Sequence, residues 1–372
     1  MRIHSVELRI VEIPYLHPFE TSFAREEKNQ ELIVRLQSEE GDEEGFGECV
    51  AMDSPYYSYE TVQTEWHILQ DFIIPHLRTQ DLSTPGDLVS LYGRIRGHPM
   101  AKAGIEEAFW DLSAKRQGLS LSQMLGGTKK TIESGVSIGI DREDVVIKAI
   151  ETRLNEGYRR IKIKIKPGWD INIVKTIREE FGDIPLMVDA NAAYTLSDLD
   201  VLKELDTYHL MMIEQPLHYD DLSDHARLQK ELKTPLCLDE SIESVKDAQL
   251  AIQQKSCRII NIKHGRVGGL LEAKAIHDLC SHHSLPVWAG GMLEFGIGRA
   301  TNIALASLPG FVLPNDISAT DRYYREDITE PFTLNADGTI TVPRGKGIGV
   351  EVNDSLLEKY TLKKKVFILS SP

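Results

Sequence analysis

Three acidic residues recur at equal intervals in this chain, each directly after a short apolar run. Asp189, Glu214 and Asp239 lie 25 positions apart. Because a strand and its return helix occupy about that length, the interval predicts successive strand–helix units. In a barrel of such units the three carboxylates would meet at the carboxyl ends of neighbouring parallel strands, where such barrels keep their active sites.

Converging carboxylates repel one another unless a cation neutralises them. A single acidic residue at such a place would be explained as the cap of a following helix, but the shared interval favours a common site. Oxygen ligands of this kind suit Mg²⁺ or a similar hard divalent cation. The three acids therefore predict a metal-dependent enzyme.

Length and composition limit the classes of protein to which the chain can belong. Its 372 residues suit one large barrel and one smaller domain. A net charge of −15 argues against a nucleic-acid partner, and no apolar stretch is long enough for a membrane helix. Residues 1–7 alternate like a strand and lack the apolar core of a signal peptide, so we expect a cytoplasmic protein. The cysteines show no paired spacing, which predicts neither a zinc site nor a disulfide framework.

The first part of the chain differs in pattern from the rest. Residues 1–50 alternate like strands and residues 58–115 have helical periodicity, so we predict a separate α+β domain over residues 1–128. From there to residue 320, strand and helix patterns alternate, which predicts an α/β fold with a (β/α) barrel over residues 129–320. The candidate barrel strands are 135–140, 160–166, 186–189, 210–214, 236–239, 259–263, 286–289 and 311–316.

The last segment, residues 321–372, contains two strand-like runs at 339–342 and 366–369. We expect them to return to the first domain and add strands to its sheet.

One predicted barrel strand, residues 160–166, alternates basic residues with isoleucines. An exposed edge strand would explain the lysines as protection against aggregation. Flanking helical patterns favour a covered strand instead, which points the basic row toward the barrel axis. Lys164 would then reach the three acids, and Lys263, at the end of another strand, would face it across a bound substrate. Nearby positive charge and burial lower the pKa of a lysine, which makes it a usable base.

These motifs together resemble the enolase superfamily and, within it, the muconate-lactonising-enzyme-like branch. Residues 162–164 fit its Lys-x-Lys motif, and Lys263 fits its opposing lysine. The three acids fit its metal-ligand motifs. Four further runs resemble the o-succinylbenzoate synthase / N-acylamino acid racemase group of this branch: 166–170, 261–269, 290–294 and 315–319.

The resemblance implies a modified TIM barrel whose first domain caps the barrel mouth through loops 18–21 and 51–53. It implies Mg²⁺, or Mn²⁺ or a similar divalent ion, bound by the three acids, and a carboxylate substrate. Lys164 and Lys263 are the implied proton-transfer residues. We also expect a homo-oligomer, since barrels of this kind often associate.

We assign further roles around this centre. Glu240 follows the third acid and is expected to support it by hydrogen bonding instead of binding the metal. Asn191 serves either as a polar contact or as a turn residue only, and the glycines at 290–291 form either a tight turn or a carboxylate contact. The proposed substrate contacts are Ser137, Lys162, Asn191, Gly291 and Met292.

The implied reaction is dehydration of 2-succinyl-6-hydroxy-2,4-cyclohexadiene-1-carboxylate to o-succinylbenzoate, through an ene-diolate, on the way to menaquinone. Racemisation of N-acylamino acids would use the same lysines, either as a side activity or as the main one. A dipeptide epimerase is a third enzymatic alternative, and the run 290–294 argues against it. A metal-binding barrel without catalysis is the alternative from another class.

Two residues depart from the group's pattern. His264 stands where proline is common, and Phe295 stands where threonine or a similar small residue is frequent. We expect both to reshape the substrate pocket.

Overall fold

The computed structural model describes residues 1–41, 43–78 and 80–369 of the chain. It contains an antiparallel sheet with helices at the amino-terminal end and a curled parallel sheet surrounded by helices after it. Within the described ranges, no helix is both long enough and apolar enough to span a membrane.

The antiparallel sheet has the strand order β13-β1-β2-β3. Strand β3 contacts helix α3 closely because Gly45 and Gly47 carry no Cβ. A Cβ on either glycine would meet a carbonyl oxygen of α3, at 2.0 Å for Gly45 and 1.9 Å for Gly47. The strands are β1 (Ile3–Glu20), β2 (Arg25–Ser38), β3 (Glu44–Cys49) and β13 (Thr361–Ile368), and the helices are α1 (Val62–Ile68), α2 (Pro85–Tyr92), α3 (Pro99–Gln117) and α4 (Leu121–Leu125).

In the described residues, seven parallel strands form the second sheet, in the sequential order β5 to β11. Their side chains are buried on both faces, as the apolar runs predict. The strands are β5 (Gly135–Ile138), β6 (Arg160–Lys164), β7 (Leu186–Asp189), β8 (Ile213–Glu214), β9 (Leu236–Leu238), β10 (Ile259–Ile262) and β11 (Val287–Ala289). The α-helices between and after them are α5 (Glu143–Glu156), α6 (Ile171–Phe181), α7 (Leu199–Leu205), α8 (Ser223–Glu231), α9 (Val245–Gln254), α10 (His264–Val267), α11 (Leu270–His282) and α12 (Gly296–Ala306).

The eighth predicted barrel strand, residues 311–316, is not a strand. Phe311 and Asn315 instead form isolated bridges, to Val287 of β11 and to Ser134 just before β5. Pro314 explains the interruption, since it lacks the N–H that a continuous ladder needs. The segment still connects the two edges of the curled sheet.

The carboxyl-terminal segment contacts both parts of the molecule. Strand β13 pairs antiparallel with β1 in the first domain. The earlier strand β12 (Thr339–Thr341) pairs with β4 (Thr131–Glu133), beside the parallel sheet. The prediction that this strand joins the sheet of the first domain is therefore wrong. Helix α13 (Asp354–Tyr360) follows β12 and precedes β13 in the chain. The domain limits at residues 128 and 320 stay a prediction.

Candidate active site

The three evenly spaced acids lie at the carboxyl ends of adjacent strands. Asp189 ends β7 and pairs in register with Glu214, which ends β8. Asp239 directly follows β9, the next strand of the sheet. All three side chains are buried. The 25-residue interval therefore corresponds to one strand–helix unit, as the sequence predicts.

The basic strand β6 lies between β5 and β7, so the alternative of an exposed edge strand is wrong. Nζ of Lys164 donates to Oδ2 of Asp189 over 2.6 Å. Nζ of Lys162 lies 3.3 Å from Oε2 of Glu214 and 3.4 Å from Oδ2 of Asp189. The inward direction of this row follows from strand alternation, because the isoleucines between the basic residues pack against the outer helices. Lys166 is beyond the strand and more than a third exposed.

Lys263 approaches the acids from the opposite side of the sheet. It directly follows β10, and its Nζ donates to Oδ2 of Asp239 over 2.7 Å. A second residue, Tyr57 from the first domain, lies against both: its hydroxyl is 2.9 Å from Nζ of Lys263 and 3.0 Å from Oδ1 of Asp239. The guanidinium of Arg266 also contacts Oδ1 of Asp239. The two lysines thus pair with different acids.

The charges at this centre are strongly interdependent. Burial, together with the neighbouring Asp189 and Asp239, raises the pKa of Glu214 to about 8. Burial also raises the pKa of Asp189, but Lys164 and Lys162 outweigh it and bring that pKa below its usual range. At Glu214, burial is the largest cause of the raised pKa and the charges of Asp189 and Asp239 add to it, while Lys162 opposes both.

The donor chemistry of this cluster fits a hard divalent cation. As placed, the part of the chain that the structure describes has no three His, Cys, Asp or Glu side chains grouped to hold one metal ion, because the acids are directed at lysine and arginine nitrogens. The donor set is nevertheless all oxygen, buried and mutually repelling, which is the environment that Mg²⁺ relieves. Among the described residues, Oε2 of the adjacent Glu240 is buried without a hydrogen-bond partner.

Asn191 connects the two sides of this centre. Its backbone N–H donates to Oδ1 of Asp189 over 3.0 Å, and its Oδ1 accepts from Nζ of Lys164 over 2.9 Å. Its Nδ2 donates to Oε1 of Glu240 over 3.0 Å. Asn191 also has φ of 43°, in the left-handed region that asparagine tolerates. It is therefore both a turn residue and a polar contact of the site.

A cavity opens beside the cluster. Ser137 borders it, and its hydroxyl is buried without a hydrogen-bond partner among the described residues. The first domain contributes Phe19, Thr21, Phe23, Met52 and Tyr57, as expected for a cap over the barrel mouth. The sequence-predicted site residues that line the cavity are Ser137, Lys162, Lys164, Asn191, Lys263, Gly291 and Met292.

Sequence reasoning missed some residues of the site. Oδ2 of Asp316 lies 2.6 Å from Nζ of Lys162, and its Oδ1 lies 3.6 Å from Nη1 of Arg160. Asp316 therefore neutralises positive charge at the amino-terminal end of the basic row on β6. It is the last residue of the predicted eighth strand, but Asn315 separates it from the apolar run 311–314, so it lacks the signal that identified the other acids. Tyr57 and Arg266 had no such signal, because the first lies in an irregular loop and the second in a single helical turn.

The two departures from the group's pattern do not border the cavity. Phe295 is buried and its ring packs edge-on against Tyr324, with the centroids 5.3 Å apart. His264 is buried with Nδ1 at 3.2 Å from Oε1 of Glu107, and burial lowers its pKa to about 4. Neither residue lines the cavity, which is bordered by their neighbours, so an influence on its shape would act through those neighbours, and the expectation that they reshape the pocket stays a prediction.

Comparison with known proteins agrees with this architecture. Residues 5–126 match the mandelate racemase / muconate lactonizing enzyme N-terminal domain, and residues 145–356 match the enolase C-terminal domain-like family. The chain is 51% identical to an o-succinylbenzoate synthase from Geobacillus kaustophilus, covering 99% of this chain and 98% of the relative. It is 45% identical to an N-succinylamino acid racemase from Amycolatopsis sp, covering 98% of this chain and 99% of the relative.

A solved structure extends the similarity to the whole fold. The crystal structure of an enolase superfamily member from Listeria innocua has a TM-score of 0.95, at 42% identity over 100% of both chains. This similarity extends over both the antiparallel sheet and the curled parallel sheet of this chain, since the whole chain is covered. The chain therefore belongs to the mandelate racemase / muconate lactonizing enzyme family of the enolase superfamily.

Proposed function

We propose that this protein is an o-succinylbenzoate synthase. It dehydrates 2-succinyl-6-hydroxy-2,4-cyclohexadiene-1-carboxylate to o-succinylbenzoate, a step of menaquinone biosynthesis. The observation that carries the proposal is that Lys164 and Lys263 border one cavity from opposite strands, each paired with one of the clustered acids. The relatives named as synthases, at about half identity over their full length, support this substrate.

The lysines carry out the proton transfer. Lys164 removes the proton from the carbon next to the substrate carboxylate, and the electron pair forms an ene-diolate. The C–O bond then breaks, the departing hydroxyl takes up the proton that Lys164 removed and leaves as water, and the ring becomes aromatic. Lys263 needs only to stabilise negative charge, because its ammonium interacts more strongly with the ene-diolate than with the ground state.

Asp189, Glu214 and Asp239 would hold Mg²⁺, or Mn²⁺ in its place. When bound, the ion supplies positive charge beside the substrate carboxylate. Asn191 supports Asp189 by donating its backbone N–H, and Glu240 in turn accepts a hydrogen bond from the side chain of Asn191. Lys162 places a second positive charge at the base of the cavity, and Ser137, Gly291 and Met292 form its wall toward the substrate.

Racemisation of N-acylamino acids is the second candidate function. It requires a proton donor and acceptor on each face of one carbon, and the placement of Lys164 and Lys263 on opposite sides of the cavity supplies both. The relatives from Amycolatopsis and Thermus thermophilus that are named N-succinylamino acid racemases also support it.

The deciding experiment compares the two reactions on the purified protein with Mg²⁺. We expect kcat/KM for dehydration of the cyclohexadiene carboxylate to exceed kcat/KM for racemisation of N-acetylmethionine. The reverse order would make racemisation the main function. A rise in melting temperature with Mg²⁺ but no turnover of either substrate would instead indicate a metal-binding barrel without this catalysis.

Metal binding has its own test. Mg²⁺ at about one hundred times its Kd should stabilise the wild type by roughly 2.7 kcal/mol. Asp239→Asn should lose most of this stabilisation, whereas Asp224→Asn, which removes a carboxylate from the surface of α8, should keep it. Equal stabilisation of all three proteins would contradict the assignment of Asp239 as a ligand.

We also propose a cytoplasmic homo-oligomer that takes a small carboxylate substrate. The substrate's polarity and the net charge of −15 suit an aqueous compartment. Light scattering of the purified protein measures its molar mass and so tests the oligomeric state. A mass equal to one chain would contradict the proposal.

A further inference from the structure

Leu293 has an unusual backbone conformation at the wall of the substrate cavity. Its φ is 68°, in the left-handed region, and its side chain borders the cavity next to Met292. A leucine is disfavoured there because its Cβ crowds the following carbonyl oxygen. Such a conformation persists only when surrounding groups hold it.

Two side chains outside the cavity bind the carbonyl oxygen of Leu293. Nδ2 of Asn29, on strand β2, donates to it over 3.0 Å, and the hydroxyl of Tyr324 also donates to it. Both side chains are buried. We call Asn29 and Tyr324 the carbonyl clamp.

The carbonyl clamp is itself fixed by neighbours on its far side. Nδ2 of Asn29 also donates to Oε1 of Glu31 over 2.8 Å. The ring of Tyr324 stacks on Tyr15 at 5.6 Å between centroids and packs edge-on against Phe295 at 5.3 Å. Because Asn29, Glu31 and Tyr15 belong to strands of the first domain, that domain determines where the clamp lies.

The remainder of the loop is anchored on both sides of Leu293. Oε1 of Glu294 accepts the backbone N–H of Met292 over 2.7 Å. Glu48, again from the first domain, accepts the N–H groups of Phe295 and Gly298 over 2.7 and 2.8 Å and so caps the start of α12. The backbone is therefore anchored at Met292 and at Phe295. Between these two residues, the carbonyl clamp binds the carbonyl oxygen of Leu293 and so determines its backbone conformation.

We propose that Asn29 and Tyr324 are positioning residues for substrate binding, which act through the backbone of Leu293. Neither side chain borders the cavity, so they contact no substrate directly. They hold Leu293 in the left-handed conformation and thereby fix Met292 and Leu293 as a rigid wall. This inference rests on the proposed function for its substrate, while the strain and its restraints are properties of the protein alone.

The first test is steady-state kinetics of dehydration for Asn29→Ala, Tyr324→Phe and the double variant. Loss of the clamp releases the wall but leaves Lys164 and Lys263 in place, so we expect KM to rise roughly tenfold in the double variant while kcat changes by less than about threefold. Gln30→Ala, which removes an amide from the next position of β2, is the matched control and should keep both constants. An unchanged KM in the double variant would overturn the proposal.

A rescue experiment separates positioning from general destabilisation. Glycine adopts a positive φ without steric cost, so in a Leu293→Gly background the backbone no longer needs the clamp. We therefore expect Asn29→Ala to raise KM by a much smaller factor in that background than in the wild type. The same factor in both backgrounds would show that Asn29 acts in another way. Tyr324→Phe loses a single oxygen atom and keeps its ring contacts, so it provides the same comparison if Asn29→Ala does not fold.

A measurement without substrate keeps this inference separate from the proposed function. Amide hydrogen exchange of the ligand-free protein should be faster at residues 292–295 in the double variant than in the wild type, and unchanged in Gln30→Ala. Unchanged exchange in the double variant would overturn the clamp even if the wild type is an active synthase. Faster exchange in a protein without dehydration activity would support the clamp and refute the proposed substrate.

Discussion

Nζ of Lys263 donates to Oδ2 of Asp239 over 2.7 Å. The same relation holds on the other side of the cavity, where Nζ of Lys164 donates to Oδ2 of Asp189 over 2.6 Å. Each lysine is therefore held by an acid one strand–helix unit away in sequence. A substrate between them meets a lysine side chain on each face, and this is the arrangement that both candidate reactions require.

The two lysines should differ in their importance for dehydration. In the proposed mechanism only Lys164 moves a proton, so Lys164→Ala should lower the kcat of dehydration by about 10²–10⁴-fold, the typical contribution of a general base. Lys263→Ala should lower kcat/KM for dehydration by a smaller factor. It should abolish racemisation, because that reaction needs both lysines. The measurement is kcat/KM of each variant for both substrates.

Lys175→Ala is the control for these variants, since Lys175 pairs with Glu179 on the surface of α6. It should retain both activities. Full dehydration activity in Lys164→Ala would refute the role of this lysine, and equal losses of both reactions in Lys263→Ala would refute the division of labour.

Tyr57 should affect racemisation more than dehydration. Its hydroxyl is within hydrogen-bond distance of both Lys263 and Asp239, and the Lys263 ammonium lies 4.6 Å from its ring centroid. Tyr57→Phe removes the hydrogen bonds and keeps the ring, so proton exchange by Lys263 should slow by roughly tenfold. Tyr56→Phe, which alters an exposed ring in the same loop, should leave both reactions unchanged. Equal effects on the two reactions would contradict this prediction.

The parts of the site that lie on strands were predictable from the sequence. Strand alternation and the length of a strand–helix unit are local rules, and they placed the acids and the lysine row correctly. The eighth strand failed because an apolar run predicts a strand whether or not a proline within it removes the ladder N–H groups. Tyr57 could not be predicted, because its position depends on how a loop of the first domain folds over the barrel mouth.

The sequence also could not predict which side chains border the cavity. His264 and Phe295 were expected to reshape the pocket because they depart from the group's pattern beside motif residues in the chain. Neighbours in a turn or at a helix start point in different directions, however, and both side chains are packed behind the wall. Sequence adjacency gives the distance along the backbone, whereas the lining of a cavity depends on side-chain direction.

Gly290 should be intolerant of a side chain. A Cβ there would lie 2.2 Å from Oδ1 of Asn261, whose Nδ2 donates to Oε1 of Glu214 over 2.7 Å. Gly290→Ala should therefore displace Asn261 and disturb Glu214. We expect the Kd for Mg²⁺ to rise by about tenfold as a result. Gly86→Ala, where the nearest atom would be 3.6 Å away, should keep wild-type affinity. A wild-type Kd in Gly290→Ala would show that Glu214 does not depend on this contact.

Glu106 should make the stability of the protein depend on pH. Its buried carboxylate accepts the N–H groups of Leu270 and Leu271 at the start of α11, yet burial outweighs these bonds and raises its pKa from 4.5 to about 7. Between these two values the folded protein binds a proton that the unfolded chain does not bind. The contribution of Glu106 to the free energy of unfolding should therefore fall as pH rises from about 4.5 to about 7, by on the order of 3 kcal/mol, and stay level above that range.

Urea unfolding of the wild type and of Glu106→Gln across pH 4.5 to 8 checks this prediction. Because glutamine does not titrate, the unfolding free energy of the wild type minus that of Glu106→Gln should fall as pH rises and become constant above about pH 7. Glu179→Gln, on the surface of α6, is the control for removing one negative charge from the chain. A pH-independent difference between the wild type and Glu106→Gln would mean that Glu106 has the same pKa in the folded and unfolded protein. The cap of α11 would then consist of a carboxylate that is ionised throughout this range.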